Sequence, residues 1–205
     1  TDTAWAAGKG HIIHREDRFG GNAPNALATI AALGYPAAYL ATVGTSETGD
    51  AGIADLAARG VTTDFIQRVA GADPVEAHLT ITADGERYIA FDNSPLARTP
   101  LPDHATVDAA LAKASALLVD ATSAPAESID VVRAARDRQI PVVLDVERDP
   151  TDAVADLMNE ADHLVVPLSF GRRLTKRDAP EDVIDSLWGS RRSAVVLTDG
   201  SRGSY

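Results

Sequence analysis

Cysteine is absent from the 205 residues, so this chain can build no disulfide, thiolate nucleophile or cysteine-based metal centre. Methionine occurs once and aromatic residues make up only 5%, which leaves Val, Leu, Ile and Ala to form the core. Cations are scarce: 19 Lys and Arg face 30 Asp and Glu, a formal net charge of −11 that repels nucleic acid over most of the surface. No apolar run comes near the roughly eighteen residues of a membrane-spanning helix. The opening "TDTAWAAGKG" has neither the basic nor the apolar region of a secretory signal. These absences predict a cytoplasmic protein with no nucleic-acid or membrane partner, while a local basic pocket for a phosphate stays compatible with them.

What is present reads as alternating strands and helices. With 45% apolar and 24% charged residues the composition is that of a globular domain, and the length suits one α/β unit with or without a small appended sheet. "ALLVD", "VVLDV", "LVVPL" and "AVVLTD" are short, continuous and rich in Val and Leu, as parallel strands buried on both faces are. Helical segments lie between them: "HATVDAALAKA", "PAESIDVVRAARDR" with Pro125 near its first turn, "PTDAVADLMNEA" and "APEDVIDSLWGS". Earlier, "NAPNALATIAALG" and "GDAGIADLAARG" read as helices closed by Gly34 and Gly60, with the strand "AAYLATVG" between them. "EAHLTITADGERYIAFDN" alternates around Asp84-Gly85, the dipeptide of a two-residue hairpin, so it predicts an antiparallel sheet. The expected fold is therefore α/β: a parallel central sheet flanked by helices, with a small antiparallel β insert at about 64–93 and residues 10–19 as a further contributor. Both ends read as interrupted, since "TDTAW" has the character of a strand's tail and "SAVVLTDGSRGSY" stops where a new strand would begin. One domain over 1–205, incomplete at both ends, is the expectation.

In parallel sheets of this kind ligands sit beyond the carboxyl ends of the strands. The segment "RFGGNAPNALATIAALG" (Arg18 to Gly34) brings Gly20 and Gly21, which let backbone approach a ligand, together with Asn22 and Asn25, whose carboxamides suit sugar hydroxyls. A plainer use of the same residues is a tight turn with Asn22 as helix cap. "VVLDVERD" leaves Asp145 and Glu147 where they would help hold Mg²⁺ through water, or where Glu147 would simply pair with Arg148. "GKGHIIHR" gathers Lys9, His11, His14 and Arg15, suited either to an anionic sugar or to an exposed basic strand; the two histidines have no carboxylate spacing for zinc. Trp5 is placed to stack on a sugar or base, and Trp188 is expected in the core.

Taken in order, "FGGNAPNALATIAALG", "VGTSETGDAGIADLAARGV", the "TADGERYIAF" hairpin and "VVLTDGSRG" resemble the ribokinase-like (phosphofructokinase B) family of sugar and nucleoside kinases, across nearly the whole chain. The fit departs at Leu27, where the family prefers a small residue. The resemblance implies that Asp2, Gly20, Gly21, Asn22 and Asn25 line the sugar site. It implies that the antiparallel sheet is a lid that covers the sugar, excludes water and in many members pairs two subunits into a homodimer. It also implies that Thr198, Gly200, Ser201 and Gly203 lie near the phosphates and adenosine of ATP, where successive amides of a glycine turn form an anion nest.

Three departures accompany it. The family's Gly-Ala-Gly-Asp segment, whose Asp is the catalytic base, does not occur in the sequence, so the base is expected beyond Tyr205 and the polypeptide as given is not expected to be a competent kinase. "LSFGRR" stands where the family often has Asn-x-x-Glu, tied to magnesium and phosphate. Gly44-Thr45-Ser46 stands in place of Gly-x-Asp, with the acid missing or moved to Glu47. The resulting expectation is an ATP- and Mg²⁺-dependent sugar kinase. The alternatives are a non-catalytic sugar- or nucleotide-binding module or fragment, and a nucleoside kinase. A nicotinamide oxidoreductase is more distant, because no strand leads into G-x-G-x-x-G.

Overall fold

The protein is described from a computed structural model that covers residues 12–82, 85, 87–92, 99–121, 127–147 and 152–205. Asp2, Trp5, Lys9, His11, Asp84, Pro125 and Arg148 lie outside the described residues. Helix α1 (Asn22–Ala32) and strand β1 (Ala41–Val43) are followed by α2 (Glu47–Ala58) and β2 (Ile66–Arg68). The hairpin strands β3 (Ala77–Ile81) and β4 (Arg87–Phe91) come next. Helices and strands then alternate: α3 (His104–Leu111), β5 (Leu117–Asp120), α4 (Ser128–Asp137), β6 (Val142–Asp145), α5 (Asp152–Glu160) and β7 (His163–Pro167). Two successive helices, α6 (Leu168–Thr175) and α7 (Pro180–Trp188), lead to β8 (Ala194–Thr198).

The four Val- and Leu-rich runs form one parallel sheet in the order β5-β6-β7-β8. Val142, Leu144, Leu164, Val166 and Leu197 are completely buried within it. Sequential parallel strands need a crossover between them, and α4, α5 and the α6–α7 pair supply it. These helices bury Val132, Leu157, Phe170 and Val183 against the sheet and complete the main core. The α6–α7 contact is close: a Cβ added at Gly171 would lie 2.7 Å from Cγ1 of Val183.

The first third forms a second unit around a parallel β1–β2 pair, with Ala41 opposite Ile66. Its small core of Ala37, Leu56 and Val61 is closed by Leu27, Ile30 and Tyr39. Leu27 has a definite place there, which explains a larger residue at that point of the "GGNAPNAL" segment. Leu40, just ahead of β1, packs against the main core and ties the two units together. Gly34 and Gly60 follow the helices with φ of +86° and +82°, the left-handed geometry expected of them.

Several expectations are corrected. The antiparallel sheet begins at Ala77, not at about 64, because Ile66–Arg68 pairs in parallel with β1. Residues 12–19 form no strand. The hairpin has a longer connection than a two-residue turn, since residues 82–86 separate Ile81 from its partner Arg87. Helix α6 was not signalled by "LSFGRRLT", an Arg-rich stretch that follows β7 without a turn residue. Trp188 is 45% exposed at the end of α7 rather than in the core. Among the described residues no helix is long and apolar enough to cross a membrane.

Gly171→Ala should overpack the α6–α7 contact and lower stability by about 1–3 kcal/mol. Urea unfolding should show an earlier midpoint with an unchanged slope.

Candidate functional site

The segment from Phe19 to Asn25 is held by backbone geometry, which leaves its carboxamides uncommitted. Gly21 caps α1 with φ 111° and ψ 152°, a conformation that suits glycine, and no side chain bonds to the helix's first amides. Asn22 is the first helical residue and is not the cap. Gly20 has no Cβ, and one built there would sit 3.7 Å from Nδ2 and 3.8 Å from Oδ1 of Asn25, so the Asn25 carboxamide lies beside the glycine pair. Among the described residues neither Asn22 nor Asn25 has a side-chain hydrogen-bond partner. The loop is anchored on α2 by Phe19, whose ring would stand 3.4 Å from a Cβ at Gly52.

Helix α2 begins where β1 ends, and two glycines make that junction tight. A side chain at Gly49 would collide with the carbonyl of Gly44, and one at Gly44 would collide with Asp73. Ser46 explains the missing acid of the Gly-Thr-Ser segment: its hydroxyl accepts from the Gly49 amide at 3.1 Å and caps α2. Arg68, at the end of β2, ties this corner together by donating to the Gly44 carbonyl at 2.5 Å and pairing with Asp50 at 2.6 Å. The anchor of the glycine-asparagine loop therefore stands beside the carboxyl end of β1.

The carboxyl ends of the main sheet carry acids. Asp120 and Asp145 are register partners at the ends of β5 and β6, and Glu147 follows two residues on. Burial, then the charges of Glu147 and Asp120, push the Asp145 carboxyl up to about 6. Tyr39 adjoins them, and burial followed by Asp120's charge raises its phenol. Among the described residues no three His, Cys, Asp or Glu side chains converge as a metal-ion site. Asp145 and Glu147 nonetheless fit water-mediated Mg²⁺ in the chemistry of their donors, two carboxylates close enough for one to raise the other.

At the other side of the sheet, β8 runs into a 3₁₀ turn at Gly200–Arg202 and returns, with Leu197 and Tyr205 exchanging backbone hydrogen bonds at 3.0 Å. This turn carries Thr198, Gly200, Ser201 and Gly203. It stands two strands from Asp145, about 10 Å at the usual strand spacing. Beside it, the start of α6 is packing surface: Leu168, Phe170 and Gly171 are buried, and no carboxamide or carboxylate stands among them. The exposed residues that follow are Arg172 and Arg173. Sequence reasoning singled out the turn after β8 and the "LSFGRR" segment, but it missed that the latter is helical and that Arg172 and Arg202 gather at Asp199.

The basic segment near residues 9–15 proves unremarkable where it is described. His14 and Arg15 are exposed, Arg15 pairs with Asp17 at 3.6 Å, and Arg18 pairs with Glu16. Both ion pairs join neighbours within this segment.

A parallel sheet with the glycine-asparagine loop, the hairpin and the terminal glycine turn in this order is the arrangement of a sugar-kinase fold. The chain matches the pfkB family carbohydrate kinase model over residues 6–205 and belongs to that family. Solved structures agree on the fold. A protein from Agrobacterium tumefaciens assigned provisionally as a ribokinase superposes with a TM-score of 0.78 at 24% identity, covering 95% of this chain and 66% of that one. Arabidopsis thaliana ribokinase complexed with ribose and ATP gives 0.75 at 23%, covering 90% and 62%. Fructokinase with bound ATP from Xylella fastidiosa gives 0.68 at 22%, covering 89% and 63%. The chain thus spans about two thirds of the length of the structures it resembles. No curated protein matches it in sequence.

Asp145 gives a pH test that needs no ligand. Its folded pKa lies above the usual carboxylate value, so the native state holds the proton longer and stability falls as pH rises from about 4 through about 6. Asp145→Asn should remove that slope and stabilise the protein at pH 7 by about 1–2 kcal/mol, a figure reduced for the solvent screening of a half-buried group. Thermal melts of both proteins between pH 4 and 7 measure it.

Proposed function

We propose that the protein is an ATP-dependent sugar kinase, transferring the γ-phosphoryl group of MgATP to a hydroxyl of a sugar or related polyol. The observation that carries this reading is the head of α1. Glycine rather than asparagine caps the helix, and the Asn22 and Asn25 carboxamides are left without partners in a chain of the carbohydrate-kinase family. Each carboxamide offers an acceptor and two donors, matching the mixed demand of adjacent sugar hydroxyls. The ATP-bound states of the fructokinase and ribokinase neighbours support nucleotide use here.

In this reading Gly20, Gly21, Asn22 and Asn25 orient the sugar, with Asp2 a further ligand to its hydroxyls. Thr198, Gly200, Ser201 and Gly203 receive the nucleotide. Magnesium, when bound, screens charge on the phosphates; Asp145 and Glu147 are the residues that would hold it, through water. The catalytic base is assigned to none of the described residues. The β3–β4 hairpin acts as a lid that keeps water from the phosphoryl group. It also pairs with a second copy. Leu79, Ile89 and Phe91 occupy one face by register, all more than half exposed, and among the described residues no further strand pairs with either outer edge of the sheet. A cytoplasmic location accords with the absence of cysteine.

A screen of sugars and polyols with MgATP, read by ADP release, tests the activity. Turnover of one sugar supports the kinase; saturable binding of sugar and ATP without turnover makes the polypeptide a binding module instead. Asn22→Ala and Asn25→Ala should each weaken the sugar by about five- to hundredfold while leaving ATP affinity unchanged. Equal losses for both ligands would count against a sugar-specific role. Ile89→Lys should shift a dimer to monomer in light scattering, and a protein that is monomeric from the outset removes the subunit proposal.

A further inference from the structure

The turn after β8 is closed by three backbone bonds: Asp199 N–H to the Gly203 carbonyl at 2.8 Å, Arg202 N–H to Asp199 at 3.0 Å and Gly203 N–H to Gly200 at 3.2 Å. The amides of Gly200 and Ser201 take no part in them. Gly200 and Gly203 have φ of +56° and +94°, and no atom lies within 4 Å of where a Cβ would be at either. Glycine is used here for conformation, and the space beside it is open.

A guanidinium stands at this opening, already engaged. Arg202 Nε donates to one Asp199 carboxylate oxygen at 2.7 Å and a terminal nitrogen donates to the other at 2.6 Å. The Asp199 side chain is 13% exposed and that of Arg202 71% exposed, so the carboxylate is the fixed partner and the arginine the free-swinging one. The Arg202 bonds, and then the charges of Arg202 and of Arg172 on α6, hold Asp199 well below the usual carboxylate range. Arg172 is itself held in place, donating to the Asp178 carbonyl at 2.7 Å. If Arg202 left, Asp199 would keep a cation beside it.

We propose that Arg202 is a phosphate-binding residue parked on Asp199, which it leaves for the polyphosphate of a nucleotide bound at this turn. This rests on the reading of the turn as the nucleotide loop. The exchange is chemically even-handed: a guanidinium forms the same two-pronged, charge-assisted pair with a carboxylate or a phosphate. Parking keeps the side chain in one rotamer beside the site, which reduces the entropy lost on binding. It also makes Asp199 a competitor for the same guanidinium, so the carboxylate weakens nucleotide binding and favours release.

The two residues therefore have opposite effects. Titrating ATP and, separately, uncharged adenosine into the wild-type chain, Arg202→Ala and Asp199→Asn by calorimetry tests this. Arg202→Ala should weaken ATP about fivefold to tenfold and leave adenosine unchanged. Asp199→Asn should tighten ATP about threefold, again with no effect on adenosine. Unaltered ATP affinity in Arg202→Ala, or equal losses for ATP and adenosine, would overturn the proposal while leaving the nucleotide loop intact. Weaker ATP binding in Asp199→Asn would overturn it as well, making the ion pair a structural brace. A wild-type chain that binds neither ligand would remove the nucleotide reading, and this inference with it.

Discussion

Parallel pairing from β5 to β8 is the constraint on which the rest of the molecule depends. Strands that run one way bring all their carboxyl ends to one edge, and strands buried on both faces must be almost wholly apolar. Polar chemistry can then enter only where the strands stop. Asp120, Asp145 and Thr198 are the last residues of three such strands, each closing a run of Val and Leu. The partial burial that lifts the Asp145 carboxyl to about 6 is a by-product of the same rule, because the residue ends a strand in which Val142 and Leu144 are completely buried.

Within that frame, glycines set how closely the helices approach the edge. Gly44 and Gly49 let α2 start hard against the end of β1, so that Phe19 can reach Gly52 and fix the glycine-asparagine loop on the same helix. Gly171 lets α6 press against α7, with the opposite consequence. The beginning of α6 buries Leu168, Phe170 and Gly171 and leaves Ser169, Arg172 and Arg173 exposed. Packing therefore occupies the segment that follows β7, and positive charge stands in the last turn of the helix. Close packing at one corner and ligand access at another come from the same residue type, used for different reasons.

The sequence was most legible where one physical demand dominated. Four continuous apolar runs could only be buried parallel strands, and left-handed caps at Gly34 and Gly60 could be read from helix length and glycine together. Legibility failed where short-range pattern and tertiary pairing competed. "DFIQRV" is equally good as a hairpin strand or a parallel partner, and only the nearness of β1 decides it. Asp84-Gly85 suggests a two-residue turn, but register is fixed by pairing along the whole strands and leaves residues 82–86 between them. Helix α6 was hidden because its burial is carried by Leu168, Phe170 and Gly171, and a glycine at the contact weakens any helical periodicity. Of the sites, the glycine-asparagine loop was visible as a motif. The commitment of Asn22 was not, since asparagine at a helix start reads as a cap until the backbone of Gly21 is known.

Charge poses the last problem. A chain with a formal net charge of −11 is an unpromising receptor for a polyanion, yet the nucleotide reading asks it to bind one. Net charge acts at long range and is screened within about 8 Å at physiological ionic strength, whereas recognition of phosphate is decided at hydrogen-bond distance. What matters is the sign of the groups at the carboxyl edge. Among the described residues that edge is divided: Asp120, Asp145 and Glu147 stand at the β5–β6 side, while Arg172 and Arg202 gather around Asp199 at the β7–β8 side. A triphosphate laid along such an edge would meet cations and open amides at one end and a need for a divalent ion at the other. On the proposed nucleotide reading, such a division would orient the ligand without any change in the overall charge.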